Sequence, residues 1–89
     1  MGDVAVHKRV FERHPELSED DVLDAWDSCF RSVPRLDRNP DEYIAIGSDS
    51  KGRLIEMIAK RTDIGIWIIY HAFTPPTTKA LRELGMMRR

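Results

Sequence analysis

Between Tyr43 and Phe73 the chain carries three dense apolar runs separated by polar turns. They are Tyr43-Ile44-Ala45-Ile46, Arg53-Leu54-Ile55-Glu56-Met57-Ile58-Ala59 and Ile66-Trp67-Ile68-Ile69-Tyr70-His71-Ala72-Phe73. Their β-branched and aromatic residues suit a pleated, half-buried surface. Ser48-Asp49-Ser50-Lys51-Gly52 and Thr62-Asp63-Ile64-Gly65 supply the residues that close hairpins. Three consecutive antiparallel strands are therefore expected. In the second run Ile55, Met57 and Ala59 face one way, and Leu54, Glu56 and Ile58 the other. In the third, Ile66, Ile68, Tyr70 and Ala72 alternate with Trp67, Ile69, His71 and Phe73. Such two-sided apolarity calls for helices over one face of the sheet and partial cover on the other.

Upstream, Val6, Val10 and His14 recur at four-residue spacing and Phe11 widens the stripe. This predicts a helix from Val4 to His14, ended by Pro15. Ser18 opens a second helix: its hydroxyl can cap, Asp21 completes a capping box, and Leu17 and Val22 form a hydrophobic staple. Glu19, Asp20 and Asp21 place negative charge where the helix dipole favours it. Val22, Trp26, Cys29, Phe30 and Val33 mark the buried face, and Pro34 stops the helix. A short edge strand over Ser32 to Asp37 and a turn at Arg38-Asn39-Pro40-Asp41 follow. Thr74-Pro75-Pro76 starts a last helix, with Thr74 as cap, Ala80, Leu81 and Leu84 as stripe and Gly85 as C-cap. The expected fold is α+β: two N-terminal helices, a twisted antiparallel sheet of three to four strands, and a C-terminal helix.

At 89 residues the chain makes one domain, residues 1–89. A hydrophobic content of 42% with 33% charged residues is that of a globular protein and not of a disordered one. No apolar run approaches the ~20 residues of a membrane span. The first residues have neither a basic region nor an apolar core, so no signal peptide is expected, and a cytoplasmic location is. A single cysteine, Cys29, allows no intrachain disulfide, and its place on an apolar helix face reads as a buried small hydrophobe. The histidines and Cys29 form no zinc motif, and neither a metal nor a cofactor is expected.

The net charge of −1 hides an asymmetry. Residues 1–50 hold six basic against twelve acidic side chains, and residues 51–89 eight basic against three acidic. The basic half can meet a polyanion, nucleic acid or an acidic protein segment.

Two polar residues interrupt the apolar strands, Glu56 and His71. If the register sets Ile58 opposite Ile69, Glu56 faces His71 with Cβ atoms ~5 Å apart. A carboxylate that orients an imidazole makes a usable general acid/base. The same pair serves equally well to hold a half-buried glutamate in place. A one-residue slip would move Glu56 to the side of Tyr70 and dissolve the pair. Arg53 opens the strand that carries Glu56, and Lys79 and Arg82 lie one turn apart on the last helix. These cations could flank the pair and bind phosphates, or form a solvated basic face.

Several segments, in this order, resemble the BrnT-type toxins of type II toxin–antitoxin systems. Arg13-His14 with Leu17-Ser18-Glu19-Asp20-Asp21-Val22 is similar to that family's Lys-His-Gly-Val-Ser-x-Glu-Glu-Ala opening. Tyr43-Ile44-Ala45-Ile46-Gly47, Gly52-Arg53-Leu54-Ile55-Glu56 and Ile68-Ile69-Tyr70-His71-Ala72 resemble its Arg-x-x-Ala-Leu-Gly, Gly-Arg-Leu-Leu and Ile-Arg-Ile-Ile-Ser-Ala-Arg segments. The resemblance runs from about residue 7 to residue 84. The chain departs from it at Pro15, where the family has glycine, and at Phe73, where it has arginine. The resemblance implies a RelE-like fold and metal-independent RNA endonuclease activity. It also implies a small DNA-binding antitoxin as partner, typically of ribbon-helix-helix type. In that setting Glu56, His71 and Arg82 are the expected catalytic residues, and Arg53 and Lys79 the RNA phosphate ligands. The competing expectation is a non-catalytic interaction module of the same fold, covered by a protein partner or, as a homodimer, by a second copy of itself.

Overall fold

The computed structural model describes residues 3–36 and 39–87. In chain order the elements are β1 (Val4–Val6), α1 (Arg9–Arg13), α2 (Glu19–Asp27), β2 (Arg31–Arg35), β3 (Asn39–Ser48), β4 (Leu54–Arg61), β5 (Trp67–Phe73) and α3 (Thr78–Glu83). The fold is α+β, with a five-stranded mixed sheet in the order β1-β5-β4-β3-β2. β2 to β5 form the expected antiparallel meander, and β1 adds itself in parallel to β5. Among the described residues no helix is long and apolar enough to cross a membrane.

The first helix is shorter than its hydrophobic spacing suggests. Val4 to Val6 are a strand, with Val4 opposite Trp67 and Val6 opposite Ile69. The Trp67 N–H donates to the Asp3 carbonyl at 2.9 Å and the His7 N–H to the Ile69 carbonyl at 2.8 Å. Three residues carry no readable period, and Val6, the first residue of the expected helical stripe, satisfies the edge of β5 instead. Only the part from Arg9 to Arg13 is helical, with Val10 sunk into the core.

The start of α2 is as expected, and its end is not. Ser18 Oγ accepts from the Asp21 N–H at 3.1 Å while the Asp21 carboxylate accepts from the Ser18 N–H at 3.0 Å. The helix ends at Asp27, well before Pro34. Ser28 Oγ donates to the Ser48 carbonyl at 2.5 Å, and the Phe30 N–H reaches the Ile46 carbonyl at 3.1 Å, which draws the chain into the sheet. Phe30 is exposed, and Val33 and Pro34 belong to β2. An outer strand tolerates a proline because one side of it needs no ladder hydrogen bonds. β3 already runs from Asn39, so the turn expected at Arg38-Asn39-Pro40-Asp41 does not hold there; Asp37 and Arg38 lie outside the described residues. The cap of α3 is Thr77, not Thr74, and its hydroxyl accepts from the Ala80 N–H at 3.1 Å. Gly85, at φ +72, ends α3 as expected: the Met86 N–H bonds back to Leu81 and the Gly85 N–H to Arg82.

The helices cover opposite faces of the sheet. Val10, Leu17, Val22, Ala25 and Trp26 pack on Ala45, Ile55, Met57, Ala59, Ile69 and Ala72. Ala80 and Leu84 of α3 pack on Ile44 and Ile46 on the other face. α2 lies so close to β3 at Gly47 that a Cβ there would run into the Ala25 carbonyl. An ion network staples the start of α2 to the β3–β4 hairpin. Arg53 Nη2 lies 2.9 Å from Asp21 Oδ2, and Arg53 Nε lies 2.7 Å from Asp49 Oδ2. The Ser18 N–H above all, helped by Lys51, holds the Asp21 carboxyl down at about 2, against burial that pushes it up.

Two outcomes follow. Gly47→Ala should cost about 3 kcal/mol or more, because helix backbone must move away, and urea unfolding measures it. Asp21 is depressed from 3.8 to about 2, so its contribution is present above pH 3.8 and lost as pH falls toward 2. The urea midpoint of the wild type should drop across that window, and Asp21→Asn should start lower at neutral pH and fall less. Parallel curves would show that the network carries no such contribution.

Candidate active site

The register of β4 against β5 decides what reaches the α3 face. Glu56 pairs with Phe73, Met57 with Ala72 and Ile58 with His71; after a shift, Ala59 pairs with Ile69. Tyr70 is therefore the extra residue of a β-bulge. Ile69 and Ala72, three apart, both enter the core beneath α2. Tyr70 and His71, consecutive in sequence, both border the concavity on the opposite side. Strict alternation had put them on opposite faces; the bulge overrides it by one residue.

Glu56 is not directly opposite His71, as the expected register had it, but one pair along the same face. The diagonal suffices: His71 Nε2 lies 2.9 Å from Glu56 Oε2. The other carboxylate oxygen, Oε1, accepts from the Thr77 N–H at 2.6 Å, which ties the start of α3 to the sheet. Burial pushes the Glu56 carboxyl up, but the His71 and Thr77 hydrogen bonds outweigh it and the net shift is downward. Glu56 is thus a carboxylate at neutral pH and can only accept, so Nε2 carries the hydrogen and the Nδ1 lone pair is left for chemistry. The Glu56 side chain is 6% exposed and that of His71 32%, so His71 is the member a solute can touch. His14 stands edge-on to His71 at 6.4 Å and packs on Phe73 at 4.9 Å, which closes the far side of the imidazole.

The open space beside His71 has two lobes. The larger, about 500 Å³, is bordered by Arg9 and Arg13 of α1, Arg35, Glu42, Tyr70 and His71. The smaller, about 190 Å³, continues past His71 toward Thr77, Lys79 and Glu83 of α3. Arg35 sits between them, 7% exposed. Its Nε lies 2.5 Å from Glu83 Oε2 and its Nη1 3.0 Å from Glu42 Oε1. Burial weakens the Arg35 cation, but Glu83 and Glu42 more than offset this and its pKa is raised. The Tyr70 hydroxyl donates to Glu42, and burial with that carboxylate pushes its pKa up to about 12. Tyr70 therefore stays a neutral phenol.

Of the residues singled out in the sequence, Glu56, His71 and Lys79 come together at this concavity. Arg53 does not: it is tied to Asp49 and to Asp21 of α2, on the opposite face of the sheet. Arg82 is exposed on α3 and does not border either lobe. The sequence reading missed Arg9, Arg13 and Arg35, and it offered Tyr70 only as one of three aromatics, with Trp67 and Phe73, that could stack bases. The four-residue spacing of Arg9 and Arg13 was the one available signal; the bulge and the β2 register left none. Among the described residues no three His, Cys, Asp or Glu side chains are grouped to hold a metal ion. Comparison of the chain with protein-family models, with curated proteins and with solved structures gave no match in any of the three.

Glu56→Gln should free the imidazole and loosen the start of α3. The loss of an ionised acceptor should lower stability by about 1–3 kcal/mol. Nitrogen-detected NMR should find the Nε2–H tautomer of His71 in the wild type and a mixture in the variant. An Nδ1–H tautomer in the wild type would overturn the assignment of roles within the pair.

Proposed function

We propose that the chain is a toxin-like, metal-independent RNA endonuclease of the RelE-like kind, acting in the cytoplasm. The observation that carries this reading is the Glu56–His71 couple at 2.9 Å, opening onto a concavity bordered by cations. RNA cleavage needs a base for the 2′-hydroxyl and positive charge near the phosphate. His71 Nδ1 takes the 2′-hydroxyl proton, and the 2′-oxygen attacks phosphorus. The bond to the 5′-oxygen breaks, and that oxygen takes a proton from water. The products are a 2′,3′-cyclic phosphate and a 5′-hydroxyl end, and the imidazolium returns its proton to solvent. Glu56 holds the imidazole in the reactive tautomer and balances its charge as it protonates. Lys79 supplies charge from the α3 side.

The order of the sequence segments supports a type II toxin–antitoxin setting, in which a small DNA-binding antitoxin would cover this concavity. The confinement of Arg35 by two carboxylates favours a second reading, a binding module without chemistry. Purified protein and a labelled single-stranded RNA separate the two. The wild type should cut the RNA and leave cyclic phosphate ends, and a 2′-deoxy substitution at the cut should block it. His71→Ala should lose roughly 10²–10⁴-fold in rate with its circular dichroism unchanged. A folded wild type that cuts no RNA and arrests no growth on expression would leave only the binding module.

A further inference from the structure

The catalytic reading lacks a firm phosphate ligand. Arg53 is occupied by Asp49 and Asp21, and Arg82 stands away from the concavity. Of the cations that border it, Arg35 is enclosed by Glu83 and Glu42. That leaves Lys79 and the α1 pair, Arg9 and Arg13.

The α1 pair has the stronger geometry. Four residues apart, the two guanidinium groups share one helix face and border the larger lobe together with His71 and Tyr70. Among the described residues neither makes an ion pair. Like charges at this spacing repel, which costs a helix of five residues some of its stability. An anion seated between them reverses the sign. The helix is also anchored for the task. Val10, between the two arginines, is 1% exposed in the core, and His14 at the helix end packs on Phe73. The guanidinium groups therefore start from a fixed base, and their planar forks suit phosphate oxygens.

We infer that Arg9 and Arg13 are the phosphate clamp of this site, and that a single RNA strand crosses it from α1 to α3. This rests on the reading of the site as one for RNA. One phosphate lies between the two arginines, the adjoining ribose sits over His71, and the strand leaves past Lys79. The strand is single because His71 and Ile58, with Arg35, border both lobes, so the imidazole lies where the two lobes adjoin and a ribose must come down to this floor. A ribose reaches that floor only if its base leaves the stack and enters a lobe, which a paired base resists.

The test is the salt dependence of binding. A fluorescent single-stranded RNA, protected from cleavage by 2′-O-methyl groups, is titrated with protein at several salt concentrations. Replacing both arginines (Arg9→Ala with Arg13→Ala) should lower the slope of log K against log salt by about 1.4 and weaken binding about tenfold per arginine. Lys8→Ala, an exposed cation of the same segment that borders neither lobe, should change the slope by less than half of one arginine's share. The paired Arg→Lys changes should keep the slope while weakening binding, which keeps the test open if the alanine variant does not fold. An unchanged slope in the alanine variant overturns the clamp, and so does a wild type that binds no RNA. Cleavage of unprotected RNA is followed in parallel. A wild type that does not cut, yet loses slope on removal of the arginines, upholds the clamp and removes the nuclease reading. A wild type that cuts while the slope stays put does the reverse.

Discussion

A buried carboxylate keeps its charge only if hydrogen bonds replace the water it has lost. Glu56 meets that condition with one partner on each oxygen, and both partners matter to the site. The Thr77 N–H fixes where α3 begins on the sheet, and the His71 Nε2–H fixes which imidazole nitrogen is free. One ionised group in the middle of β4 thus sets the position of the covering helix and the tautomer of the exposed histidine. An apolar residue there would leave the Thr77 N–H unsatisfied and the imidazole free to turn. That is the physical sense of a glutamate in an otherwise apolar run.

The bulge at Tyr70 supplies the second constraint. Without it, strict alternation would send either Tyr70 or His71 to the α2 side of the sheet, and one wall of the concavity would be missing. With it, Trp67 and Ile69 serve the α2-side core up to the bulge and Ala72 resumes that role beyond it, while Tyr70 and His71 both face out. Tyr70 then meets Glu42, which meets Arg35, which meets Glu83 of α3. A chain of hydrogen bonds runs from β5 across β3 and β2 to α3, beside the Glu56 contact that holds the same helix.

These two constraints also explain what a reader of the sequence could and could not see. The three strands from β3 to β5 came from dense β-branched runs, and their covering pattern followed from Ile55, Met57 and Ala59. The capping box at Ser18 and the glycine at Gly85 are local signals and proved right. The Glu56–His71 couple survived an error in register because the error was even in parity, so both residues kept their face. What failed was non-local. β1 has three residues, too few for a period, and its partner lies some sixty positions away. Arg53 looked like a free cation because nothing in its own segment announces Asp21 of α2. Arg9, Arg13 and Arg35, which border the concavity, come from the acidic half of the chain, and a count by halves does not reveal them.

The count of charge by faces tells more than the count by halves. The exposed acids of α2, Glu19, Asp20, Asp24 and Asp27, lie on one side of the sheet. Arg9, Arg13 and Lys79, which make no ion pair among the described residues, border the concavity on the other. The smallest principal extent of the molecule is 22 Å. A field in physiological salt decays over about 8 Å, so the two faces barely sense each other through solvent. A net charge of −1 is therefore no obstacle to an anion at the concavity. The α2 face repels a polyanion at close range, and the α3 face can hold one. Near-neutral composition and an oriented approach are compatible for this reason, and such an orientation would turn an anion toward the side where His71 is exposed.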